Sequence, residues 1–580
     1  MADTQLGAFQ LAAASRSAEM ALQTNPHHAQ AQAVLARIEL VEGKQALAAT
    51  RVKDQVLQQN PHSLEGLAIQ AALALRADDK SGYATIRAAA VGHARDGGIF
   101  FTRLAELLVS LHMYPEADTV LAKAVALAPK NPRAQSAYGL NLLRLGEETK
   151  GRAALEAAWK RDRFNERTLN TLELYRQTID PKYTDVKAKQ LSLRVPTLDH
   201  EWLADDLVAA YARARKSLDA RYGIDPGVLR LEAFDTPETF SLRTLGVPSF
   251  GALGVCFGKV ITLVGNHRGT HNLHQVIWHE LAHVYAIRLS RGRVPRWFTE
   301  GLSEWESELA DPSWARESAE LLAAARRQGK MRRLEELELA FLRAESPAMM
   351  EVAYATASYA MRYLGRTYGV AKLKAILQGY GAGKTTEELF SQHFGKDLAT
   401  VSKDFDTWMV AQISAKVTGW HPKPGRGKKQ ASATPDPRDK LLAQAVTEAR
   451  AKDYEAASRT LQKLIGARGD GYHARMMLGE VLLQGPSWKS AKQHFEKAHG
   501  FHTESIDPLS KLAQLAQRSG DVAGEIKVLT TAIEIDGMSF DPAARLVVLA
   551  TLADAKAAQK KALTRAVAIA PLHPISLAGR

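Results

Sequence analysis

The sequence predicts a mainly α-helical chain in which two α-solenoid arrays flank a smaller α+β domain. Three observations predict it. A 34-residue recurrence of apolar and small residues runs through both outer parts of the chain. Strand-like alternation is confined to the middle. A Pro-, Gly- and Lys-rich stretch separates the middle from the C-terminal part. These give four segments: N-terminal repeats over 1–182, a central domain over 190–412, a linker over 413–438, and C-terminal repeats over 439–580.

In the N-terminal part, Ala117, Leu121, Ala124 and Pro129 mark one helix and its stop. Gly139, Leu142, Gly146, Leu155 and Ala158 give the next unit. Asn25-Pro26 and Asn60-Pro61 are earlier stops, since proline ends one helix and opens the next. Gln5 to Gln23 reads as an amphipathic helix. In the C-terminal part Leu461, Phe495, Leu529 and Leu563 recur every 34 residues, as do Leu464, Ala498, Ala532 and Ala566. The two series lie three apart, on one helical face. With Trp488 and Ala491 before Phe495, the pattern resembles the second helix of a tetratricopeptide repeat (TPR). One helix pair cannot bury its apolar face alone, so such units stack. The resemblance implies protein partners bound through the arrays. The stretch Trp420 to Lys429 cannot build a core and reads as a linker, its basic residues solvated or facing an acidic partner.

In the central domain, Val228 to Phe234 alternates like a strand, and Gly254 to Val264 reads as a glycine-interrupted strand or hairpin. Asn272 to Ser290 has a helical period and stops near Gly292. Inside it lies His279-Glu280-Leu281-Ala282-His283. Residues four apart project from one helix face, so two imidazoles can chelate one ion from a single rigid element. Glu280, about 100° round the helix, reaches a water on that ion. Taken alone, the pentapeptide is also compatible with two ordinary histidines on a partly buried helix. Pro295 to Trp305 is a second helical stretch, and a turn at 290–295 brings Glu300 back toward the histidines. Two nitrogens and one carboxylate oxygen leave a fourth position open, the pattern of catalytic zinc. Glu304, one turn on, can orient a ligand imidazole through its far nitrogen.

The pairing of His-Glu-Leu-Ala-His with Pro-Arg-Trp-Phe-Thr-Glu-Gly-Leu-Ser-Glu resembles the gluzincin metallopeptidases, in particular the bacterial peptidase MA-like domains. The resemblance covers about 220–412. It implies a zincin-type, thermolysin-like core: a small sheet, an active-site helix and a helical lower lobe. It implies one Zn2+ per chain held by His279, His283 and Glu300, with Glu280 as general base. It places Gly254, Val255, Cys256 and Phe257 on the edge strand that pairs with substrate backbone, where Gly251 and Gly254 allow close approach. The clan supplies a tyrosine to the oxyanion. Here the candidates are Tyr354, Tyr359 and Tyr363, with Tyr354 first; packing aromatics are the alternative. The Gly-x-Met-Glu-Asn segment of the clan's aminopeptidases is missing from 249–264, which favours an endopeptidase.

The expected function is therefore a zinc metallopeptidase acting on peptides or proteins, with arrays that recruit substrate or partners. The alternative is an inactive peptidase-like TPR scaffold. Other classes are excluded or disfavoured. Apolar residues make up 46% and charged residues 24%, which excludes a mainly disordered chain. A net charge of +13 over 580 residues is dilute, and no groove-reading or aromatic-plus-basic motif marks nucleic-acid binding. No apolar run is long enough to span a membrane. The single cysteine, Cys256, excludes an intrachain disulfide and reads as a packing residue. The Gly381 to Thr386 segment lacks the first glycine of a phosphate loop, Gln378 standing in its place. His274 lies about 140° round the helix from His279 and, with His271, reads as a first-turn polar residue, and Arg326 to Arg333 reads as a solvated basic run or a contact for an acidic substrate. No signal layout opens the chain, so the compartment stays open: periplasm or cell envelope if a leader was removed, otherwise cytoplasm.

Overall fold

The structure, a computed structural model, describes residues 11–93, 97–248, 251–265, 271–344, 346–422 and 436–579. Contacts divide it into two compact units. One comprises Met1–Gly265, Val276–Glu306 and Leu334–Ser402; the other comprises Asn266–Gln275, Ser307–Arg333 and Lys403–Arg580. Among the described residues no helix is long and apolar enough to cross a membrane.

The first unit opens with antiparallel helices from Leu11–Thr24 to Glu166–Leu174. Polar caps start them: Ser63 accepts from the Gly66 N–H, and Asn131 accepts from the Arg133 and Ala134 N–H groups with Pro132 in the first turn. The recurrent positions form the core, where Ala117, Leu121, Ala124 and Leu155 are fully buried. Gly139 is small for a packing reason: a Cβ there would lie 2.7 Å from Leu155 Cγ and 2.8 Å from the Gly151 carbonyl oxygen.

The same unit holds a five-stranded mixed sheet of order β1-β2-β3-β5-β4. The strands are β1 (Tyr183–Ala188), β2 (Leu191–Pro196), β3 (Leu229–Phe234), β4 (Gly254–Cys256) and β5 (Val260–Val264). β2, β3 and β5 run parallel, and β1 and β4 pair antiparallel at the two edges. The hairpin β4–β5 occupies the stretch read as a glycine-interrupted strand or hairpin. β1 and β2 have no counterpart in the sequence expectations. β1 is charged and half-exposed, and β2 carries Arg194, whose burial is made possible by Asp185 at 2.8 Å and Glu148 at 2.9 Å. A buried cation in a strand reads as polar until its partners are known.

The helix Leu273–Ser290, called here the histidine helix, is followed by the glutamate helix Arg296–Ala310. The turn between them passes through positive φ at Arg291 and Gly292. The tyrosine helix Pro347–Tyr368 packs on the glutamate helix, and Gly301 meets the Ala357 carbonyl there with no room for a Cβ.

The second unit contains four helical hairpins between Pro437 and Ile569. Leu461, Leu464, Phe495, Ala498 and Ala566 are fully buried, and Leu529 and Ala532 nearly so. Gly479 lies against Phe495, with a Cβ position 2.6 Å from Cε1. The segment 307–333 belongs to this unit. Asp311 pairs with Arg565 at 2.9 Å, and the Glu504 carboxylate accepts from the Ser318 and Ala319 N–H groups at the start of Ala319–Arg327. Residues 413–422, expected in the linker, are ordered structure. The helix Leu398–Lys416 runs into them, Val417 bridges to His502, Gly419 bridges to Gly471, and Trp420 is buried with Leu461 and Leu478. An indole supplies the apolar area that the Pro/Gly/Lys composition around it conceals. The basic residues of 423–429, like positions 1–10, lie outside the described residues.

Candidate metal centre

The histidine helix brings His279 and His283 one turn apart on one face, and both are buried. Their Nε2 atoms lie 3.1 Å apart. The glutamate helix returns Glu300 to them, with Oε2 at 3.6 Å from His279 Nε2 and 3.5 Å from His283 Nε2. Ligands about 2.0–2.1 Å from a tetrahedral zinc sit about 3.3–3.4 Å from one another. The three atoms therefore already form one face of such a tetrahedron. His279, Glu280 and His283 also gather their ligand atoms within 4.8 Å of one another, so Glu280 borders the same space.

The far nitrogens of both rings face oxygens, that of His283 through a hydrogen bond and that of His279 through a close contact. His279 Nδ1 is 3.3 Å from Glu304 Oε1, and His283 Nδ1 is 2.7 Å from the Thr299 hydroxyl. With Nδ1 protonated toward these oxygens, both Nε2 atoms offer lone pairs to an ion. The donor set thus fits zinc chemically as well as geometrically.

The carboxylates around His279 favour positive charge on it. Burial opposes charge on His279, but Glu300, Glu304 and Glu280 outweigh it and hold its pKa up at about 10. Burial also acts against the Glu300 carboxylate, yet the two histidines hold it well below the usual range. Glu280 is shifted the other way: burial raises it, the histidines pull it back and Glu300 adds to the rise. A carboxyl raised in this way takes up a proton more readily than a free one.

β4 lies directly over Glu280. A Cβ at Gly254 would fall 2.6 Å from Glu280 Oε1. Val255 lies opposite Thr262 and Phe257 N–H bonds the Val260 carbonyl, so alternation turns the backbone groups of Gly254 and Cys256 away from β5. The Cys256 thiol is pushed up by burial and by Glu280, so it stays a neutral thiol beside the site.

Of the three tyrosines, Tyr354 is tied to this site. Its hydroxyl accepts from Arg296 Nη2 at 3.5 Å, and Arg296 Nε donates to Glu300 at 3.4 Å. Burial raises its pKa, and Glu300 and Glu280 add to the rise. Tyr359 instead stacks with Arg362, and Tyr363 packs edge-on to Tyr368.

Sequence reasoning missed three neighbours: Thr299, Arg296 and His112. The first two stand in the quoted Pro-Arg-Trp-Phe-Thr-Glu stretch, where the helical count places each near Glu300 or a histidine. His112 has no sequence signal. It sits at positive φ in the turn between two N-terminal helices, and its Nδ1 is 2.9 Å from the Tyr114 hydroxyl. Its side chain is exposed to solvent. Desolvation, Arg296 and Arg144 push it down to about 4 against the pull of Glu300. Tyr114 packs edge-on against Phe257 at 5.7 Å. The N-terminal array thus touches the β4–β5 turn.

A family profile described as the Peptidase MA superfamily matches residues 249–411, less than a third of the chain. A comparison with curated proteins gives no match. Among solved structures, the crystal structure of the APC/C hetero-tetramer Cut9–Hcn1 aligns at 11% identity and a TM-score of 0.22, covering 100% of this chain and 94% of that one. The structure of Naa15/Naa10 bound to HypK-THB aligns at 12% identity and a TM-score of 0.17, covering 100% and 94%. At these scores the two likenesses carry no argument.

Proposed function

We propose that this protein is a zinc-dependent endopeptidase. The observation that carries the reading is the triangle of His279 Nε2, His283 Nε2 and Glu300 Oε2, with edges of 3.1, 3.5 and 3.6 Å. The match of residues 249–411 to a peptidase superfamily supports it. His279, His283 and Glu300 would hold the zinc ion, which would supply Lewis acidity to the site.

The chain's own residues do the rest. Substrate backbone adds as a strand along β4, with Gly254 and Cys256 offering the outward groups. Glu280 takes the proton of the attacking water and passes it to the leaving amine nitrogen. The Tyr354 hydroxyl, tethered by Arg296, donates to the oxygen that gains negative charge. His112 and Tyr114 give the N-terminal array a place beside Phe257, from which it shapes what enters. The arrays bind the protein substrate or a partner that delivers it.

Metal analysis with an activity assay tests this. About one zinc per chain is expected at this site, lost on His279→Ala. Glu280→Gln should keep the metal and lose cleavage of an unfolded protein by about 10²–10⁴-fold. Zinc retained at this site in a wild-type chain that cleaves nothing across a peptide library would favour the inactive scaffold.

A further inference from the structure

A second cluster of ligating side chains lies in the other unit, built from three separate stretches of chain. Glu320 is in the first turn of Ala319–Arg327, His421 follows Trp420, and His473 opens Tyr472–Leu483. Each offers one ligand atom, and the three atoms lie within 4.8 Å of one another. His421 Nδ1 and Glu320 Oε2 are 3.3 Å apart, the edge length a tetrahedral zinc site requires.

Two features distinguish this cluster from ordinary surface polarity. The His421 side chain is nine-tenths buried. Both His421 Nδ1 and Glu320 Oε2 are shielded from solvent yet make no hydrogen bond among the described residues. The two atoms face each other as a close ion pair without hydrogen-bond geometry, an arrangement that leaves both buried groups short of a full partner unless something joins them. Meanwhile Arg327 Nη2 donates to Glu320 Oε1 at 2.7 Å, which fixes the carboxylate and leaves Oε2 pointing at the histidine. The elements are anchored independently: Gly419 bridges to Gly471, beside His421 and His473, and Glu504 caps the helix that carries Glu320.

We propose that Glu320, His421 and His473 bind a second divalent transition ion of the zinc class. Two imidazoles and one carboxylate favour zinc over calcium or magnesium, which take oxygen ligands. The ion ties Ala319–Arg327 to the start of the C-terminal array, so its role is to brace this unit. The inference does not rest on the reading of the first centre.

The test uses the full chain carrying His279→Ala and His283→Ala, which removes the first centre. After chelator treatment it is titrated with Zn2+ by calorimetry, and bound metal is counted. About one zinc per chain is expected, with a zinc-dependent rise in melting temperature. Adding Glu320→Gln, a near-isosteric change, or His421→Ala should weaken binding at least tenfold and remove that rise. His502→Ala, which alters a neighbouring histidine 3.3 Å from Glu317, should leave binding unchanged. No uptake in the double variant overturns the proposal, as does uptake that Glu320→Gln leaves untouched. Should His421→Ala fail to fold, Glu320→Gln decides alone.

Discussion

Gly254 and Glu280 stand in direct apposition: a single methyl group at the glycine would fall 2.6–2.8 Å from Glu280 Oε1, Cγ and Cδ. The glycine belongs to the edge strand and the carboxylate to the histidine helix, so this contact sets how closely strand and carboxylate approach. Gly254→Ala should push the Glu280 carboxylate aside while leaving the two histidines in place. Peptide cleavage should fall about 10²-fold with zinc content unchanged. Assayed activity against metal content checks it, and parallel loss of both would mean that the strand supports the ligands instead.

Glu304 stands 3.3 Å from His279 Nδ1. Replacing it by glutamine keeps the size and removes the charge that orients the ring. Zinc affinity of the first centre should drop 10- to 100-fold. Competition with a chelator of known affinity measures this, and an unchanged dissociation constant would rule out Glu304 as the orienting group.

In the proposed mechanism the Tyr354 hydroxyl donates to the developing oxyanion. Tyr354→Phe keeps the packing against Phe341, whose ring lies 5.0 Å away, and removes only the hydroxyl. The expectation is a fall of about 10²–10³ in kcat with little change in KM. A change confined to KM would assign the tyrosine to substrate binding. Tyr359→Phe serves as the comparison and should leave kcat within a few fold.

His112 gives an acid limb to stability. Its pKa falls from 6.5 to about 4 on folding, so between those values the unfolded chain binds a proton that the folded chain does not. Stability is therefore fully present above pH 6.5 and is lost as pH drops toward 4. Its exposure to solvent reduces the size of the effect. Urea midpoints measured from pH 7 to pH 4 should fall less steeply in His112→Gln than in the wild type. Parallel slopes would show that the ring keeps its ordinary titration.

The C-terminal boundary illustrates the difference between composition and structure. The stretch after Lys416 is rich in Pro, Gly and Lys and reads as a linker, yet Trp420 inserts into the core formed by Leu461 and Leu478. Asp311, far upstream, pairs with Arg565 in the last helical hairpin. The compact unit is therefore discontinuous in sequence, and a cut at 438 would divide it.

What local geometry controls is legible in the order of the residues. His279 and His283 share a face because a helix repeats every 3.6 residues, and the 34-residue recurrence specifies stacked hairpins because each buries its neighbour's apolar face. Glu300 was legible for the same reason, being one short turn and one helix away. Tertiary structure alone decided the rest. Only the folded chain puts His112 beside Arg296, sets Arg194 among Asp185 and Glu148, and gathers Glu320, His421 and His473 around one point. These groups come from distant stretches, and nothing in the spacing of residues records which loops close upon each other.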